Sequence, residues 1–414
     1  MNILILSDGF SAPAYKPRLR VLCDYLHRQG HAVEVICEQA DTLSFEHTYP
    51  IHEVALYKGT FADWAIKNTC NMLFQWKERA FERHILQLIK GKPYDVVFCS
   101  SFHTFPLRTA NNIAARLHVP CVLDLRDMVE QAPANHMLYL KHHAAWLKPF
   151  AALYLHRNIR RRNRELCRAN AVTTVSPWHA DLVKKITSNS ASGLTSNSVY
   201  TIYNGYDNTL FVPKDTPSDT FRIVYTGKVF PAPQQDPTLL FEALPHLHLS
   251  PEKLAVEWYI DPKSEALIRS LARQAGVEPW MHYKGLVQHN RIPALLQEAS
   301  VCLVLTNTAG PESGHGKMTT KFFEALGVEK PVLCVTSDEE CLADVIRDTE
   351  AGLSATSAQQ VVDFLQDQYA EWQTHGFTHQ PIDGHKKGLY ARQTQAAQWE
   401  KILQEQADHF KNLR

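Results

Sequence analysis

The sequence predicts an α/β protein made of two successive doubly wound parallel sheets, and three observations carry that prediction. Short apolar runs alternate with longer amphipathic segments almost from end to end. The runs are continuously apolar, which requires burial on both faces, hence a parallel sheet covered by helices on each side. The rhythm stops once, at the Ser/Asn/Gly/Thr-rich stretch 187–198, and then begins again. A chain of 414 residues also exceeds what one hydrophobic core usually supports.

Taken in order, Ile3 to Leu6 reads as a buried strand, followed by a helix over Arg18 to Gln29 with Leu19, Leu22, Cys23 and Leu26 on one face. Gly30 ends that helix, and Ala32 to Cys37 forms the next strand. Further strands are predicted at Asp95 to Ser100, Pro120 to Leu125 and Ala171 to Val175. After the break, strands at Phe221 to Tyr225, Ala255 to Ile260, Met281 to Lys284, Val301 to Leu305 and Pro331 to Val335 repeat the pattern. Residues 386–414 read as a closing helix with no strand after it. The expected division is therefore 1–200, 201–385 and that helix, which either completes the second domain or crosses back to the first. Sheets of this kind bind ligands beyond the carboxyl ends of their strands, and two such edges can face each other across a cleft.

Composition narrows the function. Hydrophobic residues make up 45% and charged residues 21%, a globular balance. Lys plus Arg and Asp plus Glu both total 43, so no chain-wide basic field draws in nucleic acid, and no nucleic-acid partner is expected. The 21 histidines would make the molecule cationic at mildly acidic pH. Nine cysteines, several inside apolar runs such as Val301-Cys302-Leu303-Val304, read as buried hydrophobes in a reducing cytosol. The N-terminus has no basic leader or cleavage pattern, and no run of about 18 apolar residues occurs. A cytoplasmic protein is expected.

The segment Thr306 to Leu333 is the richest in chemistry. After the strand Val301 to Leu305, Gly310, Gly314 and Gly316 make a loop rich in backbone donors, and a helix follows through Lys321, Glu324 and Leu326. A glycine-rich loop leading into a helix N-terminus suits an anion. Lys321 in the first turn opposes the helix dipole, so a phosphate partner accounts for it. Glu324 lies one turn on and can accept hydrogen bonds from sugar hydroxyls. The alternative is a surface Lys321–Glu324 pair worth a few tenths of a kcal/mol. Gly314-His315-Gly316-Lys317 looks like part of a P-loop, but Pro311 and Met318 stand where that pattern needs Gly and Ser or Thr. The dinucleotide pattern GxGxxG is absent after the first strand, where Ser7-Asp8-Gly9-Phe10-Ser11-Ala12 stands.

Over nearly its whole length the chain resembles the family-4 retaining glycosyltransferases of the GT-B fold. The motifs that carry this are Asp124-Leu125-Arg126-Asp127 at a strand end, Thr174-Val175-Ser176, and Tyr203-Asn204-Gly205-Tyr206-Asp207 with Phe211 and Pro213. Tyr225-Thr226-Gly227-Lys228, Lys321-Phe322-Phe323-Glu324-Ala325-Leu326 and Lys330-Pro331-Val332-Leu333 continue the series. The DLRD element is similar to a branch acting in bacterial surface-polysaccharide synthesis. The resemblance implies two Rossmann-like domains facing across a cleft, acceptor in the first and nucleotide-sugar donor in the second. With the glycine-rich loop and helix start read above, the expected donor residues are Gly227, Lys228, Gly285, Gly314, Gly316, Lys321 and Glu324, with Arg20 and Tyr15 expected on the acceptor side. The resemblance does not carry sugar recognition over to the Thr308 to Lys317 loop. There are departures: the first βα loop lacks the family's Gly-Gly pair, Gly316 stands where the first Glu of its E-x7-E pair belongs, and Arg126-Asp127 aligns with its acceptor-side histidine.

Transfer from a nucleotide sugar leaves a diphosphate whose growing charge needs a divalent cation or fixed donors. No DxD occurs, and no metal-ligand cluster is evident, so the expected site uses Lys228, Lys321 and loop amides with no metal or other cofactor. The resemblance implies retention of configuration without a fixed protein nucleophile. Asp127, with Arg126, and His103 are the candidate catalytic groups on the acceptor side, although Asp127 can equally form a structural pair with Arg126 or Arg20. Residues 138–168 combine aromatic and apolar side chains with six arginines between 157 and 168, which suits peripheral contact with an anionic membrane carrying a lipid-linked acceptor. A solvated, salt-bridged helix is the competing reading. Two rival functions stay open: a sugar-nucleotide epimerase of the same shape, and a non-catalytic nucleotide- or glycan-binding protein.

Overall fold

A computed structural model describes the chain except residues 11–16, 40–46, 58–59, 61–62, 64–65, 68–69, 72–73, 132–147, 189–197, 233, 307–314 and 413–414. It forms two compact units, Met1–Tyr203 with Gln395–Arg414, and Asn204–Thr394.

The first unit runs β1 (Asn2–Ser7), α1 (Pro17–Arg28), β2 (Ala32–Glu38), β3 (Ile51–Val54), α2 (Trp76–Leu88), β4 (Val96–Ser101), α3 (Leu107–Leu117) and β5 (Cys121–Leu125). It continues through α4 (Lys148–Leu166), β6 (Ala171–Thr174), α5 (Pro177–Ser188) and β7 (Val199–Thr201). The seven strands are parallel in the order β3-β2-β1-β4-β5-β6-β7. Successive residues of each strand feed opposite cores, as the continuous apolar runs require. Ile3, Ile5, Val96 and Phe98 pack under α1 and the C-terminal helix, while Leu4, Leu6, Val97 and Cys99 pack under α2, α3 and α5.

The second unit runs β8 (Phe221–Thr226), α6 (Thr238–Ala243), β9 (Leu254–Tyr259), α7 (Pro262–Gln274), β10 (Met281–Tyr283), α8 (Ile292–Gln297) and β11 (Val301–Leu305). Then come α9 (Thr320–Val328), β12 (Val332–Val335), α10 (Cys341–Thr349), β13 (Gly352–Ser354), α11 (Ala358–His375) and α12 (Gly384–Gly388), after which the closing helix α13 (Arg392–Asn412) begins. Its six strands are parallel in the order β10-β9-β8-β11-β12-β13.

Three local readings change. Thr187 and Ser188, placed in a loop by composition, close α5, where Thr187 Oγ1 returns a hydrogen bond to Val183 O at 3.0 Å. The closing helical pattern is two helices, broken where Ala391 makes a parallel bridge to Tyr206. The longer helix, α13, starts in the second unit and lies from Gln395 onward in the first, with Ala396, Trp399, Ile402 and Leu403 in its core. Strands β3, β7 and β13, three or four residues long at sheet edges, are added to those the sequence predicts.

Candidate active site

In each unit the strand order reverses beside the first strand, between β1 and β4 and between β8 and β11. The loops leaving two such strands diverge to opposite sides, opening the crevice where doubly wound sheets bind ligands.

In the second unit β8 ends at Thr226, and Gly227 turns away with φ +100°, a conformation that only glycine adopts readily. Its N–H donates to Tyr259 O at 2.9 Å. From the other side of the reversal, α9 starts after β11, capped by Thr319, whose Oγ1 accepts from Lys321 N at 3.4 Å. The Lys321 side chain crosses directly over Gly227: a Cβ there would meet its Cε at 3.0 Å and its Nζ at 3.4 Å. The same ammonium lies 5.3 Å from the centre of the buried Tyr225 ring, a cation–π placement, and Tyr225 Oη donates to Lys228 O at 2.7 Å. Lys228 is exposed alongside. Lys321 and a glycine turn thus meet at one strand end, with Lys228 next along the chain, an arrangement suited to fixed stabilisation of an anion.

Glu324 departs from the surface-pair alternative. It is 7% exposed, and burial pushes its carboxyl up to about 7, with Arg392 and Lys321 pulling the other way. Arg392, itself buried, donates through Nε to Asn204 O at 3.3 Å, while Asn204 Nδ2 donates to Met318 O at 2.6 Å. The Asn-Gly-x-Asp element therefore supports the helix that carries Lys321 and Glu324. Gly327 on that helix sits under Tyr206 and Phe211, whose atoms lie 2.7 and 2.8 Å from where a Cβ would be. Gly316 lies at the buried entry to α9 with φ +68°, beside His315, which pairs with Glu340 at 2.6 Å. Gly285 turns the chain after β10 with φ +72°, on the edge strand of the same sheet. Gly314 lies outside the described residues.

In the first unit the loops after β1, β4 and β5 interlock. Phe102 N donates to Asp8 Oδ2 at 3.2 Å, and Arg126 N to Ser101 O at 3.2 Å. The Arg126 guanidinium is 5.4 Å from the Phe102 ring centre, and His103 packs edge-on against the same ring. His103, Arg126 and Asp127 are thus brought to one sheet edge. His103 Nε2 is buried with no hydrogen-bond partner, and burial lowers the imidazole to about 4, so it is neutral at physiological pH. Arg20 is half-exposed on α1 and pairs with Asp24 at 3.7 Å. Tyr15 lies outside the described residues.

Sequence reasoning missed three groups. Arg18, not Arg20, is the buried cation of α1: it donates to Asp124 at 3.0 Å and stacks 4.5 Å over Trp399. Asp124 also accepts from Ser100 and Thr173, so the first acid of the DLRD motif is a structural hub. Arg392 lies far along the chain from Glu324, and only the Ala391 bridge brings it there. Asp8 sits in the turn after β1, and only the fold brings Phe102 N to its carboxylate.

Two family models match the chain, a glycosyl transferase 4-like domain over residues 15–188 and a glycosyl transferases group 1 domain over residues 220–369. No curated protein matches the sequence. Among solved structures it is similar to a sucrose-phosphate synthase from Thermosynechococcus elongatus, at 14% identity and a TM-score of 0.64, covering 100% of this chain and 99% of that one. It is similar to Anabaena Alr3699/HepE, solved with UDP and glucose, at 15% identity and a TM-score of 0.64, covering 98% and 100%. A lipopolysaccharide outer core galactosyltransferase, WaaB, follows at 13% identity and a TM-score of 0.58, covering 98% and 99%. Two all-parallel α/β units matched end to end by such structures make this the GT-B fold, and with both domain models in sequence the chain belongs to the glycosyltransferases.

Proposed function

We propose that the chain is a retaining, metal-independent glycosyltransferase that moves a hexose from a nucleotide sugar to a glycan or lipid-linked acceptor in surface-polysaccharide synthesis. The observation that carries this is Lys321 lying over Gly227 at the sheet reversal, with Lys228 beside it and Glu324 one turn away. A diphosphate placed there meets two ammonium groups, the Gly227 turn and the first turn of α9, so leaving-group charge falls on fixed donors. Glu324, held near neutrality, suits hydrogen bonding to sugar or ribose hydroxyls rather than charge pairing. Neutral His103 with Asp127 supplies polar groups for an acceptor hydroxyl, and departure of the diphosphate supplies the base, without a protein nucleophile.

The similarity to HepE, solved with UDP and glucose, supports a UDP-sugar donor, and that to WaaB supports a surface-glycan acceptor. A cytoplasmic enzyme at an anionic membrane fits α4, whose exposed stripe joins Phe150 and Leu153 to Arg157, Arg160 and Arg164. No helix among the described residues is long and apolar enough to cross a membrane.

Release of nucleoside diphosphate is the test. The enzyme reading expects release that depends on an acceptor and falls at least about tenfold in Lys321→Ala. Acceptor-independent conversion of the nucleotide sugar would indicate an epimerase, and binding without turnover a carrier; either contradicts the proposal.

A further inference from the structure

The loop leaving β12 carries a carboxylate that the donor cluster described above does not use. β12 lies beside β11, and Thr306 N donates to Val335 O at 3.2 Å, so the loops leaving these two strands start side by side. The connection after β11 ends in His315, Gly316 and the Thr319 cap of α9, and the connection after β12 runs through Ser337, Asp338 and Glu340 into α10. His315 Nδ1 meets Glu340 Oε1 at 2.6 Å across the two.

Glu340 immediately precedes α10, whose first N–H groups need acceptors. Asp338 supplies them, accepting from Leu342 N and Ala343 N at 2.9 Å each and from Glu340 N at 3.3 Å. Ser337 accepts from Glu339 N at 3.0 Å and from Ser354 Oγ at 2.8 Å, while its own N–H donates to Ala355 O at 2.8 Å. The loop is thus pinned without help from Glu340, which makes no capping bond and turns to His315 instead. Its second oxygen, Oε2, is buried and has no hydrogen-bond partner among the described residues. A buried acceptor left without a donor costs about 1–3 kcal/mol, which a donor from a ligand would offset.

Charge and position identify that donor. Lys321 lies over Gly227 at the reversal between β8 and β11, where the diphosphate is placed, and Glu340 leaves β12, one strand further on. A carboxylate repels phosphate oxygens and accepts from hydroxyls, so it suits the neutral, hydroxyl-rich part of a nucleotide sugar. We infer that Glu340 accepts a hydrogen bond from a hydroxyl of the transferred sugar and so helps to select the donor, with His315 as the residue that positions it. This rests on the glycosyltransferase reading, and on the lysine cluster for where the diphosphate lies.

Titration calorimetry separates the sugar from the nucleotide. The probes are UDP, UDP-glucose and UDP-galactose, against wild type, Glu340→Ala, Glu340→Gln, His315→Ala and His315→Gln. In Glu340→Ala, affinity for whichever nucleotide sugar wild type binds more tightly should fall about tenfold or more, while UDP affinity and melting temperature hold. Glu340→Gln keeps an oxygen acceptor at the same reach and should lose less. His315→Ala should weaken the same nucleotide sugar and leave UDP alone, and His315→Gln should restore part of the loss. Equal affinity of wild type and Glu340→Ala for both nucleotide sugars, or loss of UDP in step with them, would overturn the assignment to the sugar. Unchanged affinity in His315→Ala would overturn the positioning role. Failure of all three probes to bind wild type would instead overturn the donor reading, and this inference with it.

Discussion

Glu324 shows how one buried carboxyl links stability to function. Its folded-state value, about 7, lies above the 4.5 of an exposed glutamate, so the proton is held more tightly in the folded chain. The stability this contributes is complete below about 4.5 and is lost as pH rises through 7, at about 1.4 kcal/mol per unit of separation. Glu324→Gln should therefore flatten part of the fall in melting temperature between about pH 4.5 and pH 7, while weakening nucleotide-sugar binding. An unchanged slope would mean that the carboxyl ionises without cost. Gly227 makes the complementary point. Alanine there must adopt φ +100° and meet Lys321 Cε at 3.0 Å. Strain of about 1–2 kcal/mol should appear as lost stability, and displacement of Lys321 as weaker donor binding. Calorimetry of Gly227→Ala showing full affinity would separate the ammonium from the anion site.

At the scale of elements, the long apolar strands were legible because burial on both sheet faces forces continuous hydrophobicity, as in Ile3 to Leu6 and Val301 to Leu305. Among the edge strands β10 was placed at Met281 to Lys284, but β3, β7 and β13 were not: Ile51-His52-Glu53-Val54 is half polar, and neither Val199–Thr201 nor Gly352–Ser354 is a continuous apolar run. The proposed donor cluster was readable as a cluster because Gly227, Lys321 and Glu324 sit where strand ends and helix starts impose their spacing. Arg18 and Arg392 were not, because their partners Asp124 and Glu324 meet them only after folding. The Asn204–Phe211 segment and α9 act as one element through Gly327. Gly327→Ala would place a methyl 2.7 Å from Tyr206 and 2.8 Å from Phe211, an overpacking cost of about 1–3 kcal/mol. Its melting temperature should fall, and nucleotide affinity should fall with it as α9 shifts. Loss of stability at full affinity would show that this packing does not position the site.

Across the whole molecule, 43 basic residues balance 43 acidic ones, so long-range attraction does not gather anionic substrates. Cation placement is local, with Lys228 and Lys321 at one sheet reversal. We assign diphosphate neutralisation to these lysines because the Lys321 side chain lies over the Gly227 turn at the sheet reversal. That assignment has one direct measurement, the affinity of wild type and Lys321→Ala for a nucleoside diphosphate with excess chelator present. Wild-type binding should be undiminished in chelator, and the variant should lose about tenfold or more. Binding that disappears until magnesium or manganese is restored, or that Lys321→Ala leaves untouched, would contradict it.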